Sequence, residues 1–126
     1  MSKKMIISSI AAVMLLATPA FADGDAASGE KIFIKCKACH ENEQGVNKIG
    51  PTLKGIVGRK TASIADFKYS DAMAAKGAEG QVWDEATLAA YLPDPKAYVP
   101  GTKMAFAGLK NPQEVADIIA YLKTKP

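Results

Sequence analysis

Cys36, Lys37, Ala38, Cys39 and His40 form a C-x-x-C-H run, in which two thiols can add to the vinyl groups of a porphyrin while the adjoining imidazole reaches the iron. Each donor then has its own task, the sulfurs as thioether tethers and the imidazole as a proximal ligand. C-x-x-C is also the spacing of a thioredoxin-type redox pair and, in an exported protein, of a small structural disulfide. A structural zinc site fails on supply, because it needs four ligands of Cys or His type and the sequence holds two cysteines and one histidine. The motif by itself leaves haem attachment and two kinds of sulfur chemistry open.

Iron bound by His40 has a second axial position that is open, water-filled or taken by another side chain. With no further histidine, the candidates past the N-terminal segment are Met73 and Met104. A thioether favours the reduced iron and so raises the potential, but methionine is just as often core filler. Met73 lies in an alanine-rich stretch where packing is the ordinary reading. Met104 follows Pro100-Gly101, which stiffens and turns a loop able to present a side chain inward, and spacing alone leaves both roles open there.

These residues must be positioned by a small domain. Lys3 and Lys4, the apolar stretch Met5 to Ala17 and the small-x-small site Ala20-Phe21-Ala22 read as a secretory signal over residues 1–22, predicting a mature domain over 23–126. The apolar stretch contains Ser8 and Ser9 and falls short of the roughly 20 residues needed to span a bilayer. Export to an oxidising compartment suits haem attachment and a disulfide alike. Without Lys3 and Lys4 the 16 basic residues fall to 14 against 13 acids, a balance that does not point to nucleic acid. Basic residues gather late in the chain, at Lys96, Lys103, Lys110, Lys123 and Lys125 against Glu114 and Asp117. That bias suits a docking face or an ordinary solvated surface.

Asp25 can cap a first helix that ends at the motif. From Glu41 to Tyr69 the punctuation of Gly45, Gly50-Pro51, Gly55 and Gly58 predicts a long folded loop, and such loops in small domains commonly wrap a site. Ser70 opens a short helix with Gly77 expected as its left-handed C-terminal cap. Asp84 caps the next helix, with Trp83 and Leu88 spaced as a hydrophobic staple, and Asp94-Pro95 starts a turn. Val99 to Lys110 reads as a second long loop. Asn111, Pro112 and Glu114 form the start of a last helix with a capping box, and Val115, Ile118, Ile119 and Leu122 share one buried stripe. The absence of strand-like alternation argues against a thioredoxin sheet.

Taken in order, Cys36-Lys37-Ala38-Cys39-His40, Gly50-Pro51-Thr52-Leu53-Lys54-Gly55 and Pro100-Gly101-Thr102-Lys103-Met104-Ala105-Phe106 resemble a class I c-type cytochrome of the cytochrome c2 group, over essentially all of residues 23–126. The resemblance implies an all-α fold in which the first and last helices cross and long loops wrap one haem c. The haem would be bonded to Cys36 and Cys39 and ligated by His40 and Met104. It further implies that the Pro51 carbonyl accepts from the proximal imidazole, that Arg59, Tyr69 and Trp83 serve a haem propionate, and that Thr102 neighbours another. By the same resemblance, the Tyr91 hydroxyl lies close to the methionine sulfur, Phe106 shields the haem near its exposed edge, and Gly29, Phe33, Ile118 and Tyr121 form the helix crossing.

Three departures from mitochondrial relatives stand out. Met73 occupies a position where they commonly carry an asparagine of an internal polar network, and Ala78 to Val82 looks longer than their matching loop. The spacing from Gly29 to Cys36 is one residue shorter, as in bacterial members, so the resemblance favours a periplasmic protein. The function implied is one-electron transfer and no catalysis, by a monomer without stable membrane insertion. Lys35, Lys37, Lys48, Lys96, Lys103 and Lys110 would dock redox partners such as a cytochrome bc1 complex, a reaction centre, a terminal oxidase or a periplasmic oxidoreductase. The rivals are a haem enzyme or sensor with an open distal site and, more remotely, a thiol-disulfide oxidoreductase.

Overall fold

Asp25 sets the first helix by accepting from the Ala27 amide at 3.0 Å and the Ser28 hydroxyl at 2.8 Å, which satisfies one of the free donors at a helix start. The computed structural model describes residues 23–126 and Ala12, so the predicted signal segment otherwise lies outside the described residues. Helix α1 runs Ala26–Ile32 and tightens into a 3-10 turn over Phe33–Lys35, which delivers the chain to Cys36. Helix α5, Pro112–Lys123, starts on the Asn111 side chain, which accepts from the Gln113 amide at 2.9 Å. The expected capping box is only half present. Glu114 stands 3.9 Å from Lys35 of the α1 side, a cation that tertiary packing supplies in place of the local amide.

The crossing of α1 and α5 is the structural centre. Gly29 is buried there, and a Cβ on it would run into the Asp117 carbonyl and the Tyr121 Cβ, so the close approach requires glycine. Phe33 and Tyr121 meet in a tilted contact at 5.3 Å between ring centroids. Asp117, itself buried, accepts from the Asp25 amide at 2.8 Å and the Gln113 side chain at 2.9 Å, tying the segment before α1 to α5. Val115, Ile118, Ile119 and Leu122 are all buried, as their spacing predicts.

Three further helices carry the other side. Helix α2, Asp71–Ala78, starts on Ser70, whose hydroxyl accepts from the Met73 amide at 3.1 Å. Gly77 is not its left-handed cap; it lies inside the helix, where a side chain would strike the Thr61 carbonyl, and the left-handed turn falls at Gly80 with φ of +89°. Helix α3, Glu85–Tyr91, is capped by Asp84, which accepts from the Thr87 amide at 2.8 Å, and Trp83 and Leu88 at its start are both buried. The turn expected at Asp94-Pro95 is a one-turn helix, α4, over Pro95–Tyr98. Lys123 of α5 pairs with Glu85 of α3 at 3.1 Å.

Between these helices lie the two predicted loops, and no strand occurs among the described residues beyond an isolated bridge between Lys60 and Val82. The all-α expectation holds. Among the described residues no helix is long and apolar enough to cross a membrane.

Candidate haem-binding site

The chain turns sharply after α1, with the Cys39 and His40 amides both donating to the Cys36 carbonyl at 3.1 and 2.8 Å. This places Cys36, Cys39 and His40 in one turn, all partly buried, with both cysteines free. Burial raises the Cys36 thiol above its ordinary value by disfavouring the thiolate.

The His40 ring is fixed from two sides. Its Nδ1 lies 2.7 Å from the Pro51 carbonyl, as expected, and because a carbonyl only accepts, the proton belongs on Nδ1 and the lone pair on Nε2. Burial pushes the imidazole pKa down, which favours that neutral, ligand-competent form. Gly50 lies against the ring, so close that a Cβ there would occupy the space of the imidazole itself. The sequence marked Gly50 as turn punctuation and as part of a motif without a stated role; its need to be glycine comes from a side chain ten positions earlier.

Glu41 was not singled out by the sequence, yet its carboxylate organises the first part of the loop after the motif, up to Thr52. It accepts from the amides of Glu43, Gln44 and Val46 at 2.9, 2.7 and 2.6 Å and from the Thr52 hydroxyl at 2.5 Å. With the Thr52 hydrogen bond as the main cause, its pKa falls to about 2. The Leu53 amide closes the loop onto the Glu41 carbonyl at 2.8 Å. Arg59 donates to the carbonyls of Thr52 and Lys54 at 2.8 and 3.2 Å, so it braces the same loop from behind. Pro51 is thus held on both flanks.

Met104 lies in the second loop, partly buried against the core. The Tyr91 hydroxyl approaches its sulfur at 3.7 Å, and burial raises the Tyr91 pKa to about 12, so the phenol stays protonated and acts as donor. Thr102 accepts from the Met104 amide at 3.2 Å, shaping the turn that aims the side chain. Trp83 is buried against Tyr91 at 4.7 Å between centroids, while the Tyr69 hydroxyl accepts from the Ile64 amide at 3.1 Å. Phe106 and Met73 are partly buried on the same core.

The groups present fit an iron porphyrin chemically: two free thiols, an imidazole with its proton on Nδ1, a thioether near a phenol, and apolar Leu53, Val57, Leu92 and Phe106 packed on the core. The Cytochrome c family model matches residues 26–125, spanning every one of these positions. The chain belongs to the cytochrome c family. It is 46% identical to cytochrome c2 of Rhodomicrobium vannielii over 124 residues, covering 98% of this chain and 97% of that protein. Over 92 residues it is 55% identical to cytochrome c2 iso-2 of Magnetospirillum fulvum, covering 73% of this chain and 93% of the relative. In structure it is similar to cytochrome cH from Methylobacterium extorquens, with a TM-score of 0.73 and 55% identity, covering 81% of this chain and all of that one.

Membership brings covalently bound haem c, and Cys36 and Cys39 are the chain's only cysteines, in the spacing the cofactor requires. This cytochrome is an electron-transfer protein and not an enzyme, with redox proteins as its partners.

Proposed function

We propose that this cytochrome is a periplasmic one-electron carrier in which Cys36 and Cys39 hold the haem while His40 and Met104 are its permanent axial ligands. The observation that carries the ligand assignment is the pair of second contacts. Nδ1 of His40 is committed to Pro51, and the Met104 sulfur lies within reach of a protonated Tyr91. Each contact orients a ligand and tunes its electron density, as outer-shell partners of metal ligands do. When bound, the haem supplies a ferric/ferrous couple. The chain's task is to keep both ligands fixed through both redox states, and two permanent protein ligands leave no position for substrate.

Arg59, Tyr69, Trp83 and Thr102 complete the reading as residues serving the haem propionates, since buried carboxylates need such donors. Arg59 and Tyr69 also have backbone partners, so their role combines bracing the loops with meeting the carboxylates. Lys35, Lys37, Lys48, Lys96, Lys103 and Lys110 are all exposed and form the proposed docking set. Export rests on Lys3, Lys4, the apolar stretch and Ala20-Phe21-Ala22, giving a mature domain over 23–126.

The deciding experiment is the optical spectrum of the oxidised protein with a redox titration. Wild type should show the far-red sulfur-to-ferric-iron band, and Met104→Ala should lose it and fall in potential. A wild-type spectrum without that band would replace this reading with an open distal site. Intact mass is expected to start at Asp23 and to carry one porphyrin.

A further inference from the structure

Gln81 sits in the Ala78 to Val82 stretch, the one that looks long beside mitochondrial relatives, and its amide spans two distant parts of the molecule. Its Nε2 donates to the Thr61 hydroxyl at 3.0 Å, and its Oε1 accepts from the Tyr98 hydroxyl at 3.2 Å. Thr61 is almost wholly buried in the first long loop, at 1% exposure, so this end of the bridge is anchored. Gln81 is itself fixed by its backbone, accepting from the Thr61 amide at 2.9 Å and donating to the Lys76 carbonyl at 3.2 Å.

The other end leads to the methionine. Tyr98 closes α4, directly before Val99 and the loop of Met104, and Lys76 lies 5.3 Å from its ring centroid. Its ring meets that of Tyr91 edge-on, at 5.9 Å and 82°, and Tyr91 is the residue whose hydroxyl reaches the Met104 sulfur. Around the methionine the loop's hydrogen bonds are local, Thr102 to the Val99 carbonyl and Met104 to the Thr102 hydroxyl, while its far end is tied to the end of α3 by the Leu109 amide on the Leu92 carbonyl at 2.8 Å. Where the sulfur sits therefore depends on the walls that carry the loop, α4 and the Tyr91 ring.

We infer that Gln81 is a positioning residue for Met104: by pinning Tyr98 to Thr61 it holds α4 and Tyr91 where they keep the thioether in place, and so resists displacement of Met104 by outside ligands. The inference rests on Met104 being an axial ligand. Coupling runs through contiguous contacts, each with a named partner.

Titration of the ferric holoprotein with imidazole, followed by loss of the far-red band, tests this. Gln81→Ala should bind imidazole about fivefold more tightly, the worth of roughly one net hydrogen bond. Tyr98→Phe should move the same way, and the double variant should go no further than the larger single effect, because both act on one link. Gln81→Glu, whose carboxylate can accept from both hydroxyls, should return to near the wild-type affinity. Asn111→Ala, which weakens the remote cap of α5, should lower the melting temperature and leave the imidazole affinity alone.

Wild-type affinity in both Gln81→Ala and Tyr98→Phe overturns the inference, and an equal rise in Asn111→Ala reduces it to general destabilisation. Should Gln81→Ala fail to fold, Tyr98→Phe carries the test, with faster amide exchange over residues 99–108 as its second readout. Absence of the band in wild type would instead refute the ligand assignment itself.

Discussion

A carbonyl has no proton to give, and from that fact the contact between Pro51 and His40 fixes the tautomer and leaves the Nε2 lone pair free to act as a ligand. Gly50 makes the same arrangement sterically possible. Gly50→Ala would drive a methyl into the space of the imidazole, and neither the ring, held by Pro51, nor the loop, held by Glu41, can retreat cheaply. We expect a loss of about 1–3 kcal/mol, the usual cost of overpacking a filled site, read as a lower denaturant midpoint with a weakened far-red band. An unchanged midpoint would mean that the ring has room to move. The C-x-x-C-H motif was legible in the sequence because its chemistry depends on spacing along the chain. Glu41 was not, since a glutamate acquires four hydrogen bonds only after the loop has folded around it.

Helix starts were the most readable elements, because an N-cap side chain bonds an amide two or three residues away and needs no tertiary partner. Asp25, Ser70, Asp84, Asp94 and Asn111 all accept as caps. The misread ends have tertiary causes: Glu114 is drawn to Lys35, and Gly77 is glycine because Thr61 presses on it, not because the helix stops there. The cap of α3 also predicts a pH dependence. The Thr87 amide holds the Asp84 carboxyl below its ordinary 3.8, so the folded state favours the charged form. Its contribution is complete above that unfolded value and is lost as pH falls through the lower folded one. Asp84→Asn keeps a capping oxygen but cannot titrate. Between about pH 5 and pH 2 its melting temperature should therefore fall less than that of wild type, and parallel curves would remove Asp84 from the acid response.

Over the whole molecule, the near-balance of charge hides an uneven surface, on which Lys37, Lys96 and Lys103 stand exposed while Lys35 lies near Glu114 and Lys110 donates to the Pro93 carbonyl. If these lysines steer an acidic partner, raising the ionic strength from about 50 to 300 mM should slow second-order electron transfer roughly tenfold, because exposed charges are screened over a few ångströms at such salt. Stopped-flow oxidation of a purified cytochrome bc1 complex measures it, and a rate indifferent to salt would dismiss the docking set. The caps, the buried stripe of α5 and the missing alternation made helices without a sheet readable, while the crossing of the first and last helices came from the family resemblance. What sequence did not show was the stitching of the long loops, where Gln81, Thr61 and Tyr98 are neighbours only in space.

The contact between Asp25 and Asp117 closes a chain separation of 92 residues. Closure entropy grows only with the logarithm of such a length, so adding three or four residues between the two helices costs well under roughly 0.1 kcal/mol. The crossing at Gly29 therefore acts as a fixed frame around tolerant interior segments. Chain closure sets almost no limit on the length of the exposed stretches between the helices, and what fixes those lengths is the side-chain contacts each stretch must make, as Gln81 does across the gap.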